Sequence, residues 1–85
     1  MRLKYEHDLN TSVTYYGIPL LVPNHIEYIT TDDDGTVKGW ECKPVYRPAF
    51  QEWDSHQCQP LALANADLCG MPPHATLYEV RSDDI

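Results

Sequence analysis

The sequence contains few basic residues. Its six lysines and arginines stand against thirteen aspartates and glutamates, which gives a net charge of −7 and a pI near 4.7. Such a surface repels phosphate backbones, and direct nucleic-acid binding normally requires clustered Lys and Arg, so we expect no direct binding to DNA or RNA. The same charge attracts basic surfaces, including those of proteins that handle nucleic acid, although mild acidity also serves solubility alone.

Long hydrophobic runs are absent as well. The longest apolar run, residues 17–23, is too short to span a bilayer, and the amino-terminal sequence MRLKYEHDLN lacks the apolar segment of a secretory signal. We therefore predict no membrane partner and a cytoplasmic location, which is the host-cell cytoplasm if the protein is encoded by a phage.

Cysteine is scarce and unevenly spaced. The three cysteines, Cys42, Cys58 and Cys69, do not describe the disulfide framework of a secreted mini-protein, so we expect reduced thiols and no cofactor. The alternative is a structural zinc ion bound by these cysteines and His74, or His56. Structural zinc ligands usually come in pairs two to four residues apart, which this sequence only approaches.

The sequence also lacks the motifs of common enzymes. It has no glycine-rich phosphate loop and no nucleophile elbow. Cys58 follows His56 by two residues and His74 follows Cys69 by five, but closeness along the chain alone does not predict a catalytic pair. With 85 residues, 42% of them apolar, the chain is long enough for one thin core and unlike a disordered chain. We therefore expect a single domain over residues 1–85 that is not an enzyme.

A β-hairpin over residues 26–42 is the clearest structural signal. Two β-rich runs flank Asp32-Asp-Asp-Gly35, whose glycine supplies the positive φ that a turn needs. Residues 3–9 and 75–81 alternate in polarity, so each predicts a strand. Residues 12–16 are rich in β-branched and aromatic residues, which predicts a second strand or its start. Pro19 and Pro23 are expected to bound an edge segment or loop.

Two segments give weaker signals. Residues 44–60 contain three prolines and no steady period, which predicts irregular structure. Residues 61–68 contain good helix formers but are few, so one or two helical turns and a strand both remain open. The predicted fold is a β-rich α+β domain, with a small antiparallel sheet of four or five strands around the 26–42 hairpin and at most one short helix near 61–68.

Aromatic and acidic residues occur together along the chain. Tyr and Trp contribute most of the binding energy at many protein interfaces, although large aromatics also enlarge the core of a small domain. We predict a partner-binding surface of eight aromatic and acidic residues: Tyr28, Asp32, Asp33, Asp34, Trp40, Tyr46, Glu52 and Trp53.

The segment Tyr28-Ile-Thr-Thr-Asp-Asp-Asp-Gly-Thr-Val-Lys-Gly-Trp-Glu-Cys-Lys-Pro44 resembles a pattern in small accessory proteins of tailed bacteriophages. In that pattern a β-branched strand enters a Thr-Asp-x-Asp-Gly turn and continues into an aromatic strand that ends in Lys-Pro. Trp53 suits the pattern too. The resemblance spans roughly residues 22–53 and carries over no site residue. It implies a phage or prophage product, and many such proteins bind and block a host enzyme.

Together these features predict a non-catalytic accessory protein that inhibits a basic host protein. A nucleic-acid-handling defence component, such as a CRISPR or restriction nuclease, is the kind of partner expected. The alternative is a zinc-stabilised structural or virion-assembly module with Cys42, Cys58, Cys69 and His74 on the metal, and a small enzyme is a third, unsupported class. Exposed strand edges leave a homodimer open.

Overall fold

The computed structural model describes residues 10–80, and these residues form eight β-strands and one 3₁₀ turn. Each strand is short, as expected for a chain punctuated by proline and glycine. In chain order the elements are β1 (Asn10–Tyr15), β2 (Ile18–Pro23), β3 (Tyr28–Thr31), β4 (Thr36–Trp40), β5 (Val45–Arg47), β6 (Glu52–Asp54), β7 (Leu61–Asn65), the 3₁₀ turn (Pro73–Ala75) and β8 (Tyr78–Glu79).

The central sheet contains four antiparallel strands in the order β7-β4-β3-β8. The β3–β4 hairpin lies in its middle, which confirms the predicted hairpin over residues 26–42 and the small β-rich fold. The turn of residues 32–35 requires Gly35, because its φ is +90° and a Cβ there would overlap the carbonyl oxygen of Ala66. The turn is therefore packed against the chain that follows β7.

A second hairpin, β1–β2, covers one face of the core. β1 includes most of the segment 12–16, where β-branched and aromatic residues predict a strand or its start, and within it Val13 and Tyr15 are buried while their neighbours are exposed. β2 pairs with β1 alone, so the two prolines lie in an edge strand. The main apolar cluster joins both hairpins and comprises Val13, Tyr15, Val22, Ile26, Ile29 and Val37.

The third hairpin corrects the prediction of irregular structure over residues 44–60. β5 and β6 pair through a turn in which the N–H of Phe50 donates to the carbonyl of Arg47 at 3.0 Å. Pro48 occupies the second turn position, where its fixed φ is favourable, and Gln51 follows with a φ of +53°. Because the turn has no Asn-Gly or Asp-Gly pair, its sequence gives little sign of a hairpin.

The segment 61–68, left open between helix and strand, forms strand β7. Its five residues Leu61–Asn65 are too few for a stable isolated helix, and pairing with β4 satisfies part of their backbone instead. Within residues 10–80 there is no helix long and apolar enough to cross a membrane. Of the strand predicted over 75–81, the part described, residues 75–80, contains strand only at Tyr78–Glu79, and the strand predicted over 3–9 lies outside the described residues.

The cysteines differ from the prediction. Cys42 and Cys58 are joined by a disulfide, with their Cα atoms 6.3 Å apart, whereas Cys69 is free and exposed. The disulfide links the chain after β4 to the chain after β6, and so encloses the whole β5–β6 hairpin. Spacing along the sequence could not reveal the pair, because the hairpin between the two cysteines was itself not predicted.

Candidate partner-binding surface

The turns of the β3–β4 and β5–β6 hairpins lie side by side. The N–H of Asp33, in the β3–β4 turn, donates to the carbonyl of Gln51 in the β5–β6 turn at 3.2 Å. Next to this contact, the N–H of Trp53 donates to Oδ1 of Asp32 at 2.9 Å. These bonds bring groups of both turns onto one surface, which we call the hairpin-tip patch: the exposed Asp33, Asp34, Phe50 and Gln51 and the half-buried Glu52.

Asp32 joins the two turns and does not belong to the exposed patch. It is only 5% exposed, and its Oδ2 lies 2.7 Å from Nζ of Lys38. A buried carboxylate is stable only when paired and hydrogen-bonded, and the Lys38 ion pair and the Trp53 N–H supply both partners. Asp32 therefore fixes the geometry of the patch from beneath, and the prediction that it contacts a partner is corrected.

Asp33 and Asp34 carry the exposed negative charge of the patch. Oδ1 of Asp34 accepts a hydrogen bond from the N–H of Thr36 at 3.0 Å, which closes the turn locally. This backbone hydrogen bond to the charged form lowers the pKa of Asp34 below its ordinary value of 3.8. Asp34 consequently presents a full negative charge at neutral pH.

The two tryptophans lie inside the protein. Trp40 has no exposed surface, and its Nε1 donates to Oγ1 of Thr30 at 2.9 Å. Trp53 is 5% exposed, and its Nε1 donates to the carbonyl of Pro73 at 3.0 Å. Both indoles are already packed and hydrogen-bonded within the fold, so neither can contact a partner in this conformation. This corrects their predicted role as interface residues.

The two predicted tyrosines are half-buried and separate. The ring of Tyr46 packs edge-on against Trp53, with 5.4 Å between ring centroids, and tilts against His74 at 5.8 Å. Tyr28 begins β3 at the end opposite the turn, roughly 10 Å along the strand from Thr31 at about 3.3 Å per residue. The structure thus does not bring Tyr28 into the hairpin-tip patch.

Phe50 is the aromatic residue of the patch that the sequence prediction omitted. Its side chain is 63% exposed, and the Arg47 guanidinium carbon lies 5.1 Å from its ring centroid. Residues of both turns line a shallow cavity of about 170 Å³: Asp32, Asp33, Asp34, Phe50, Gln51 and Glu52. The local sequence sign that this ring lies at a turn, and is therefore exposed, was Pro48, two residues before Phe50.

The alternative zinc ligands are not assembled. Cys42 and Cys58 form the disulfide and so offer no thiolates, while Cys69 lies beside Gly35, at the opposite end of β4 from Cys42. Among residues 10–80 there is no group of three or more His, Cys, Asp or Glu placed to hold a metal ion. In this conformation the four residues do not constitute one site.

The chemistry available at the patch is recognition of positive charge. Its exposed carboxylates favour Lys or Arg side chains. The Phe50 ring already contacts the guanidinium of Arg47, so it offers a partner mainly apolar contact. Comparisons with protein-family models, curated proteins and solved structures found no match to this chain. Function is therefore inferred from the geometry of the patch and from the sequence pattern.

Proposed function

We propose that this chain is a non-catalytic, phage-type accessory protein that binds a basic surface of a host protein and inhibits the host protein by covering that surface. The observation that carries the proposal is the hairpin-tip patch. There Asp33, Asp34 and Glu52 line one cavity with the exposed Phe50, and the buried Asp32 joins the two turns.

The patch suits fast and specific binding. A net charge of −7 steers a basic partner toward the protein, and such steering raises association rates. The exposed Phe50 ring beside these carboxylates can supply the apolar contact that slows dissociation. Because the hydrogen bonds between the two turns already fix the surface, little conformational entropy is lost on binding.

The chemistry favours a partner whose basic surface normally binds nucleic acid. Phosphate-binding surfaces carry clustered Lys and Arg, so an acidic protein can compete for them. A host defence component such as a CRISPR or restriction nuclease fits this description. The resemblance of residues 28–44 to a pattern in phage accessory proteins, which is an expectation from the sequence alone, suggests the same class of target.

The proposal includes a cytoplasmic location, where the Cys42–Cys58 disulfide would be reduced. Cytoplasmic thiols are kept reduced, so the β5–β6 hairpin must stay in place without the Cys42–Cys58 bond. Independent contacts support the hairpin: Trp53 donates to Asp32 from its backbone and to the Pro73 carbonyl from its indole. We therefore expect the reduced protein to keep its fold and its patch.

The proposal is tested by affinity capture from nuclease-treated bacterial lysate at moderate salt. The tagged protein is compared with Asp33→Lys/Asp34→Lys and with a matched control, Glu41→Lys/Glu79→Lys, which changes the net charge equally at exposed positions on other parts of the surface. We expect the unmodified protein and the control to capture one stoichiometric basic protein that the patch variant loses. Equal capture by both variants, or no captured protein, would contradict the proposal.

A further inference from the structure

An apolar cleft lies between the β1–β2 turn and the chain that follows β7. Its volume is about 220 Å³. Tyr15, Tyr16 and Ile18 form one wall, and Leu68 and Met71 form the other. Tyr16 is 48% exposed, so the rim of the cleft is open to solvent.

Both walls are held by tight turns. Tyr16 and Gly17 have φ values of +48° and +86°, and Cys69 and Gly70 have +54° and +87°. The N–H of Met71 donates to the carbonyl of Leu68 at 3.0 Å across the second turn. Two consecutive positive φ values characterise a compact turn, so the cleft is largely formed before anything binds.

Hydroxyl groups at the base of the cleft are already paired within the protein. The hydroxyl of Tyr15 lies 2.6 Å from Oγ1 of Thr31 and donates to the carbonyl of Thr76 at 3.1 Å. Oγ1 of Thr76 accepts from the N–H of Thr31 at 2.9 Å and donates to the carbonyl of Pro73 at 2.7 Å. A ligand in the cleft is therefore recognised mainly by apolar contact.

The size of the cleft limits what can fill it. Sites for cofactors and other drug-sized ligands usually measure about 300–1,000 Å³, and this cleft is smaller. One large apolar side chain, such as Phe, Leu or Met, fits the volume and the lining. The occupant is thus better matched by one residue of a protein than by a small-molecule cofactor.

Charge at the edge of the cleft indicates the chemistry of the protein whose side chain fills it. Residues 66–69, among them Asp67, line both the cleft and an adjoining cavity that reaches Asp33 and Asp34 in the hairpin-tip patch. No lysine or arginine of the described chain lines either cavity. Along this lining the charged side chains are the carboxylates of Asp67, Asp33 and Asp34, which favour basic residues in a bound segment.

We propose that the cleft binds one large apolar side chain of an extended, basic segment of the partner, whose flanking Lys or Arg residues lie along Asp67, Asp33 and Asp34. This inference rests on the proposed function and adds to it the sequence character of the partner: an apolar residue within a basic segment. The cleft supplies the apolar selectivity, and the carboxylates supply the attraction.

Two synthetic peptides test the inference directly. One carries four lysines around a central phenylalanine, and the other has serine in place of the phenylalanine, both with blocked ends. Each is titrated into the ¹⁵N-labelled full chain and followed by NMR. We expect the phenylalanine peptide to bind at least fivefold more tightly and to shift the amide signals of Tyr16, Leu68 and Met71.

Variants of the cleft complete the test. Tyr16→Asn removes a ring from the wall while placing at the positive φ a residue that tolerates it, and Met71→Ala removes the opposite wall. Leu21→Ala, at a position 69% exposed on β2 that does not line the cleft, is the control. We expect both cleft variants to lose the fivefold preference and the control to keep it, with thermal melts confirming that each variant folds.

Three outcomes would overturn the inference. They are equal affinity for the two peptides, signal shifts confined to the hairpin-tip patch, and no binding of either peptide at millimolar concentration. Signal shifts confined to the patch would rule out peptide binding in the cleft but would still support the proposed function. The lysate capture described above decides the proposed function separately, because it depends on Asp33 and Asp34 and not on Met71.

Discussion

Three consecutive aspartates in the β3–β4 turn have different roles. Asp32 is buried against Lys38 and accepts a hydrogen bond from the backbone of Trp53, whereas Asp33 and Asp34 are exposed. The sequence places all three in a polar turn, which is correct, but their burial depends on the β5–β6 hairpin that packs against one side. The sequence therefore predicted Asp33 and Asp34 as exposed site residues, but not the burial of Asp32, because that burial depends on a distant segment.

The separation of roles predicts different effects on stability. Asp32→Asn leaves Lys38 without its carboxylate partner, so we expect a loss of about 2 kcal/mol or more in the free energy of unfolding. Asp33→Asn, at the exposed neighbouring position, should change the free energy of unfolding by less than about 0.5 kcal/mol. Urea unfolding followed by tryptophan fluorescence measures both, and similar losses for the two variants would refute the buried role of Asp32.

Asp34 contributes a dependence of stability on acid pH. Its pKa in the folded protein is below its ordinary value of 3.8, chiefly because it accepts the Thr36 N–H. Its contribution is therefore fully present above about pH 3.8 and is lost as the pH falls through the folded pKa. In urea unfolding between pH 7 and pH 2.5, Asp34→Asn should show a smaller loss than the unmodified protein, and identical curves would be evidence against this contribution.

At the scale of elements, the β5–β6 hairpin is held by one covalent link and by contacts around Trp53. Closing a loop with a sequence separation of 16 residues corresponds to about 3 kcal/mol in the chain-entropy model. Reduction should thus lower the melting temperature by roughly 12–24 °C for a domain of this size. The remaining contacts should keep the protein folded at 25 °C.

This prediction is checked by thermal melts with and without a dithiol reductant, together with Cys42→Ser/Cys58→Ser. The control is Cys69→Ser, which removes the free thiol and should leave the melting temperature of the oxidised protein nearly unchanged. Near-ultraviolet circular dichroism reports the packing of the buried tryptophans. Loss of that signal at 25 °C on reduction would show that the disulfide is indispensable, and would contradict a cytoplasmic location.

The elements also show what the sequence could and could not predict. The β3–β4 hairpin was predictable because the Asp-Gly pair encodes its turn, and β1 because residues 12–16 are rich in β-branched and aromatic residues. β5–β6 was missed because Pro48 and Gln51 shape a turn without glycine, and β7 stayed ambiguous because its pairing with β4 is a long-range contact. The disulfide, Phe50 as a site residue, and the cleft all depend on these long-range arrangements.

At the scale of the whole molecule, charge and shape act together. The chain has an excess of acidic residues, and the fold places two exposed aspartates, a glutamate and an exposed phenylalanine around one shallow cavity. Charge of this kind acts mainly on association, and its effect weakens as salt screens it. Apolar contacts act mainly on dissociation. The two kinds of contact can therefore be separated by kinetics.

The central claim is that the hairpin-tip patch attracts a basic protein. Its most direct test is the association rate constant with the captured partner, measured at several salt concentrations for the unmodified protein, Asp33→Lys/Asp34→Lys and the Glu41→Lys/Glu79→Lys control. We expect the patch variant to associate at least tenfold more slowly at low salt and to depend less on salt, while the control changes by less than threefold. Equal rates and equal salt dependence for all three proteins would contradict the claim.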